Sequence, residues 1–168
     1  SAIGNAAYKG ILIKGGAHLE NLAAIDTVVF DKTGTITTGQ PAVADIISFS
    51  GTQPSAIIKI AADVESRSDH PLAKAIIKKA NEMDIECASL TDCETLVGLG
   101  ASGMIDGVKH IVGSSLMMRQ LGVDISKYEN IIKQTVDSGN TAVIVASDNI
   151  PIGMISLSDT LRSTAADA

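Results

Sequence analysis

The sequence predicts an α+β domain, an antiparallel sheet flanked by helices, inserted into an α/β framework, and three observations carry that reading. Val28-Val29-Phe30 is a short apolar run that stops at Asp31 and opens into Thr33-Gly34-Thr35, the form of a buried strand ending in a functional loop. Pro54 and Pro71 each open a stretch with helical apolar spacing. Asp106-Gly107 stands between two strand-like runs, and this dipeptide suits a tight hairpin because its turn requires positive φ.

Taken in order, the first strand ends at Asp31, and in open α/β sheets ligands collect at the carboxyl ends of such strands. From Pro54, the residues Ile57, Ile58, Ile60, Ala61 and Val64 share one helix face; from Pro71, Leu72, Ile76, Ala80 and Met83 do the same, with Glu65 to His70 between them. Residues 101–105 and 108–112 form the hairpin. Helices are predicted over 115–121 before Gly122 and over 126–138 before Gly139, glycine being the residue that tolerates a left-handed cap. Residues 141–146 and 150–157 read as two closing strands around Ser147-Asp148-Asn149. The central block, residues 40–153, has a common domain size of roughly 110 residues. Residues 1–39 precede it, and the framework resumes over 154–168.

With 168 residues, 45% of them hydrophobic and 19% charged, the chain can bury a core in one domain or two. A formal net charge of −6 argues against a nucleic-acid partner, because binding phosphate backbones needs clustered cations. Apolar runs are far shorter than the roughly 20 residues of a membrane span, and the start carries no basic-then-apolar signal. Cys87 and Cys93 lack metal-site spacing and are expected as ordinary free thiols.

The loop after Phe30 holds what a phosphoryl-accepting carboxylate requires. Asp31 offers the nucleophile, Lys32 a nearby cation, Thr33 and Thr35 hydroxyls, and Gly34 a backbone that can approach a phosphate closely. An Asp capping a turn is the plain alternative. Five consecutive residues of this composition after an apolar run favour the chemical reading. Mg2+ is expected as the bridging ion, since hard oxygen ligands suit it. Gly98-Leu99-Gly100-Ala101-Ser102-Gly103 fits GxGxxG, but a hairpin follows instead of the helix a dinucleotide site requires, so that reading is rejected.

Asp31-Lys32-Thr33-Gly34-Thr35-Ile36-Thr37 resembles the phosphorylation signature of P-type ATPases, which share the haloacid-dehalogenase-like fold. Gly10 to Gly16 and Leu19-Glu20 resemble the heavy-metal branch. The resemblance implies that residues 1–39 are the N-terminal part of a phosphorylation domain, 40–153 a nucleotide-binding domain, and 154–168 the re-entry into the first. It implies ATP and Mg2+ as cofactors, an aspartyl-phosphate at Asp31, and Asp31 and Thr33 as metal-binding residues. Ser68-Asp69-His70-Pro71-Leu72-Ala73 resembles the branch's nucleotide-domain motif, with Asp69 where Glu is usual. His70 thereby inherits an adenine-recognising role and Glu65 the acidic adenine contact. Gly98 and Gly100 correspond to glycines that lie close to the nucleotide, while Gly103 is expected as a strand or bulge glycine. Ser114 falls where the family has an Asn near the ribose or phosphates. Asp159-Thr160-Leu161-Arg162 resembles the re-entry point; without that likeness it would read as a solvated charge pair.

The family's later Thr-Gly-Asp segment, Lys and Gly-Asp-Gly-x-Asn-Asp segment do not occur before Ala168. The chain is therefore expected to be part of a pump whose membrane, actuator and remaining phosphorylation-domain segments are its partners, and to lie on the cytoplasmic face of the membrane. On its own it is expected to bind nucleotide with little turnover. The transported ion would bind outside it, with Ser1 to Ala7 and Asp159 to Arg162 leaning toward zinc, cadmium or lead over copper. Two other readings compete: a non-catalytic nucleotide-binding module, and a soluble dehalogenase-like phosphatase. The second is disfavoured by Thr33, which stands where such enzymes carry a second, acid–base Asp.

Overall fold

A computed structural model describes residues 2–88, 90, 93–96 and 98–165; the side chain of Thr33 lies outside that description. The chain divides into two compact units, Ser1–Asp31 and Lys32–Ala168. The first holds two short helices, α1 (Ala2–Tyr8) and α2 (Gly16–Leu22), neither of which buries a residue. The strand expected at Val28–Phe30 does not form. These residues belong to no strand, and Val29 is 90% exposed. An apolar run becomes a strand only when a neighbour takes up its backbone hydrogen bonds, and the described residues of this unit contain no other strand.

The second unit begins with a π-helical turn, Lys32–Ile36, and continues into β1 (Thr37–Ser48). The helices α3 (Pro54–Val64) and α4 (Pro71–Glu82) follow, with proline in the first turn of each as expected. Then come β2 (Cys93–Leu96), β3 (Gly100–Ile105), β4 (Val108–Gly113), α5 (Ser115–Gln120), a 3-10 turn Ser126–Tyr128, α6 (Glu129–Asp137), β5 (Thr141–Ser147) and β6 (Ile150–Leu161). The six strands form one antiparallel sheet in the order β1-β6-β5-β4-β3-β2. Asp106 and Gly107 turn the β3–β4 hairpin with φ of 50° and 80°.

Both faces of the sheet are covered. Val143, Val145, Ile155 and Leu157 pack with Ile57, Ile58, Ala61 and Ile76 of α3 and α4. The alternate residues Ile144, Ala146 and Met154 pack on the opposite side with Met117, Met118 and Ile132 of α5 and α6. Because successive side chains of a strand point to opposite faces, β5 must be apolar throughout its middle, which is why residues 141–146 read as a run with no polar alternation.

Two strands, β1 and β2, had no clear sequence signal. β1 contains Gly39 and Pro41, both strand breakers, and is accommodated as an edge strand whose register shifts between Thr37 and Pro41. Its pairing extends β6 through Ser158, Asp159 and Thr160, beyond the apolar residues that mark the strand in sequence. The expected boundaries at 39/40 and 153/154 thus fall inside paired strands. Among the described residues, no helix is long and apolar enough to cross a membrane.

Candidate functional site

The loop between α3 and α4 supplies one wall of a cavity of about 230 Å³. Glu65 closes the C-terminus of α3, Ser68 follows in the loop, and His70 caps the N-terminus of α4. Thr95 of β2, the turn from Gly98 to Gly100, Gly113, Ser114 and the start of β5 line the rest. All five residues expected to bind a cofactor, Glu65, His70, Gly98, Gly100 and Ser114, therefore meet at one cavity. Ser68, Thr95 and Thr141 also line it. Ser68 opens the motif that contains His70, whereas Thr95 and Thr141 are single polar residues in strands and carry no motif by which sequence reading could select them.

Each of the five is fixed by an identifiable local cause. His70 Nδ1 accepts from the backbone N–H of Leu72 at 3.2 Å, so the neutral ring carries its proton on Nε2, leaving that N–H and an exposed ring available. Glu65 is buried. Desolvation raises its carboxyl above the ordinary carboxylate range, opposed by the Ser68 hydrogen bond and by the neighbouring His70. Ser114 Oγ accepts from Met117 N–H at 3.3 Å, so the hydroxyl expected to face a ligand also caps α5.

The two glycines differ. Gly98 has φ of +75°, with nothing within 4 Å of where a side chain would begin. Gly100 sits across from Gly113, and a Cβ there would lie 2.2 Å from Val112 O and 2.5 Å from Gly113 Cα. The contact between β3 and β4 thus requires glycine at position 100 whatever the cavity holds. Gly103 is a regular β3 residue paired with both β2 and β4, with no bulge. Asp69 points to solvent beside Lys74, an exposed pair of little energetic weight.

Asp31 is exposed at the end of the first unit. Lys32 opens the second; its Nζ donates to Gly139 O at 2.8 Å, so the cation expected near phosphoryl oxygens is tied to the turn after α6. Gly34 has φ of +80°. The Thr37 hydroxyl, fully buried, accepts from Gly34 N–H at 3.1 Å and bonds the Asp159 carboxylate. Arg162 reaches the same loop. Its Nε lies 3.0 Å from both Thr35 O and Thr37 O, its Nη2 2.9 Å from Gly34 O, and its backbone N–H 2.9 Å from Ile36 O. Asp159 and Arg162 are thus not the solvated pair that their spacing alone suggests, since each binds the loop. Among the described residues, no group of three or more His, Cys, Asp or Glu is placed to hold a metal ion.

Comparison with known proteins agrees with this architecture. Residues 25–168 match the haloacid dehalogenase-like hydrolase model. A probable cadmium-transporting ATPase of Staphylococcus aureus (strain MRSA252) is 41% identical over 169 aligned positions, covering 98% of this chain and 23% of the relative. A copper-exporting P-type ATPase of Staphylococcus saprophyticus is 42% identical over 165, covering 98% and 20%. A crystal structure of a zinc-transporting PIB-type ATPase in an E2.Pi state superposes with a TM-score of 0.78 at 34% identity, covering 98% of this chain and 26% of that one. The chain spans less than a quarter of the length of the curated relatives it matches. This chain belongs to the haloacid dehalogenase-like hydrolases, and its homologues are heavy-metal P-type ATPases.

Proposed function

We propose that this chain is the ATP-binding and phosphoryl-accepting region of a heavy-metal-exporting P-type ATPase, acting on the cytoplasmic face of a membrane with the pump's other segments as partners. The observation that carries the reading is the convergence of Glu65, His70, Gly98, Gly100 and Ser114 on one cavity. A carboxylate accepts hydrogen bonds from an exocyclic amino group, the His70 ring offers a flat face and one N–H, and Gly98 leaves open space beside the backbone. That donor, acceptor and shape set suits adenine. Asp31 takes the γ-phosphoryl group of ATP, forming an acyl phosphate as ADP leaves. Asp31 and Thr33 would hold Mg2+, whose charge would neutralise the phosphoryl oxygens during transfer. The cargo is a heavy-metal cation bound elsewhere in the pump. Relatives named for cadmium, zinc, copper and manganese all lie at 40–42% identity, so this region does not sort among them.

ATP titration followed by amide chemical shifts tests the cavity. His70→Gln should weaken binding about tenfold, the range of one stacking or hydrogen-bonding contact to a base, with shifts elsewhere unchanged. Equal affinity in the variant would remove His70 from the site. In the full-length protein, Asp31→Asn should abolish acid-stable phosphate incorporation from ATP.

A further inference from the structure

We propose that Arg162 is the positioning residue of the phosphoryl-accepting loop, holding the backbone that follows Asp31 in a fixed orientation; this rests on the reading of Asp31 as acceptor. Four successive carbonyls, those of Gly34, Thr35, Ile36 and Thr37, all find their partner in this one residue, three in the guanidinium and one in its backbone N–H. Carbonyls at the end of a helical turn have no partner within it, and four of them converging make a concentrated negative field. A guanidinium answers that field with several donors in one rigid plane, which a point-charge ammonium cannot reproduce. The backbone of β6 fixes where the guanidinium stands, since Leu161 pairs with Thr37 and Asp159 with Pro41. The bond between Asp159 and Thr37 Oγ1 and the contact of Lys32 with Gly139 O fasten the loop at both ends.

Holding these carbonyls has a consequence for the other side of each peptide. In a trans planar peptide the C=O and the following N–H point in opposite directions. Arg162 therefore also sets the directions of the N–H groups of Thr35, Ile36, Thr37 and Thr38. A loop whose backbone is already held need not reorganise during the reaction.

The test uses the full-length protein with Arg162→Ala and Arg162→Lys, reading the rate of phosphoenzyme formation, ATP affinity, thermal midpoint and hydrogen exchange by peptide. Arg162→Ala should slow phosphorylation roughly ten- to a hundredfold, the usual effect of misplacing a reacting group by about an ångström. ATP affinity should stay at the wild-type value, with faster exchange confined to peptides covering residues 34–37. Arg162→Lys should keep the charge yet recover only part of the rate. Wild-type phosphorylation in Arg162→Ala would overturn the proposal. So would exchange that quickens throughout β4, β5 and β6 with a lowered midpoint, because Arg162 would then be a general brace. Asp31→Asn separates the two ideas: labelling that survives in that variant refutes Asp31 as acceptor, while the exchange of residues 34–37 still reports whether Arg162 orders the loop.

Discussion

Residues 1–31 and 32–168 differ in how their sequence relates to their structure. The first unit ends at Asp31, in the most recognisable segment of the chain, yet both of its helices bury nothing and Val28, Val29 and Phe30 are exposed. The second unit has its cavity residues scattered from position 65 to position 143, but holds them on a sheet packed on both faces. Recognisable chemistry and local packing are thus separate properties. A phosphoryl-accepting loop needs a few particular groups in consecutive positions, which a short motif records. A cavity needs distant residues brought together, which only a core can do.

The contrast breaks most readily at the core. Ile58 is fully buried between α3 and the sheet, so Ile58→Ala should cost about 2–5 kcal/mol, whereas Val29→Ala should stay within about 0.5 kcal/mol. Chemical denaturation of the two variants would measure both, and equal losses would mean that the apolar run before Asp31 is packed after all.

A smaller effect separates the cavity glycines. Gly100→Ala forces a Cβ against backbone atoms of β4 and should cost roughly 2–3 kcal/mol through overpacking and strain. Gly98→Ala meets open space and carries only the left-handed backbone penalty of about 1–2 kcal/mol, so its larger consequence should be weaker nucleotide binding. Thermal unfolding together with ATP titration of each variant reads the split.

The smallest effect lies at Glu65, whose carboxyl burial holds above the ordinary range. The folded protein binds this proton more tightly than the unfolded chain, so the group's contribution to stability falls as pH rises from the unfolded value through the raised folded one. Ligand binding should run the other way. If the ionised carboxylate accepts from adenine, affinity for adenosine, which has no titrating phosphate, should drop as pH falls through that raised value. Glu65→Gln should flatten the profile; an unchanged slope in the variant would assign the titration to another group.

Much of the second unit was legible because its signals are local. Pro54 and Pro71 marked helix starts, Asp106-Gly107 marked a turn with positive φ, and the run from Thr141 marked a strand covered on both faces. The pairing of β1 with the polar end of β6 was not legible, because Gly39 and Pro41 lower strand propensity and the strand is held by a neighbour more than a hundred residues away. Val28–Phe30 misled for the converse reason, having strand propensity and no partner among the described residues.

The sequence by itself set the Asp31 loop apart, because its functional groups stand in consecutive positions, and through its resemblance to a known family it put forward five residues, Glu65, His70, Gly98, Gly100 and Ser114, for a nucleotide. Only the tertiary structure decided that these five share a cavity, that Gly100 is required by the strand beside it, and that Arg162 gathers the carbonyls of Gly34 to Thr37. Those outcomes depend on which backbone groups lack partners once the sheet has formed, and no window of sequence contains both sides of such a contact.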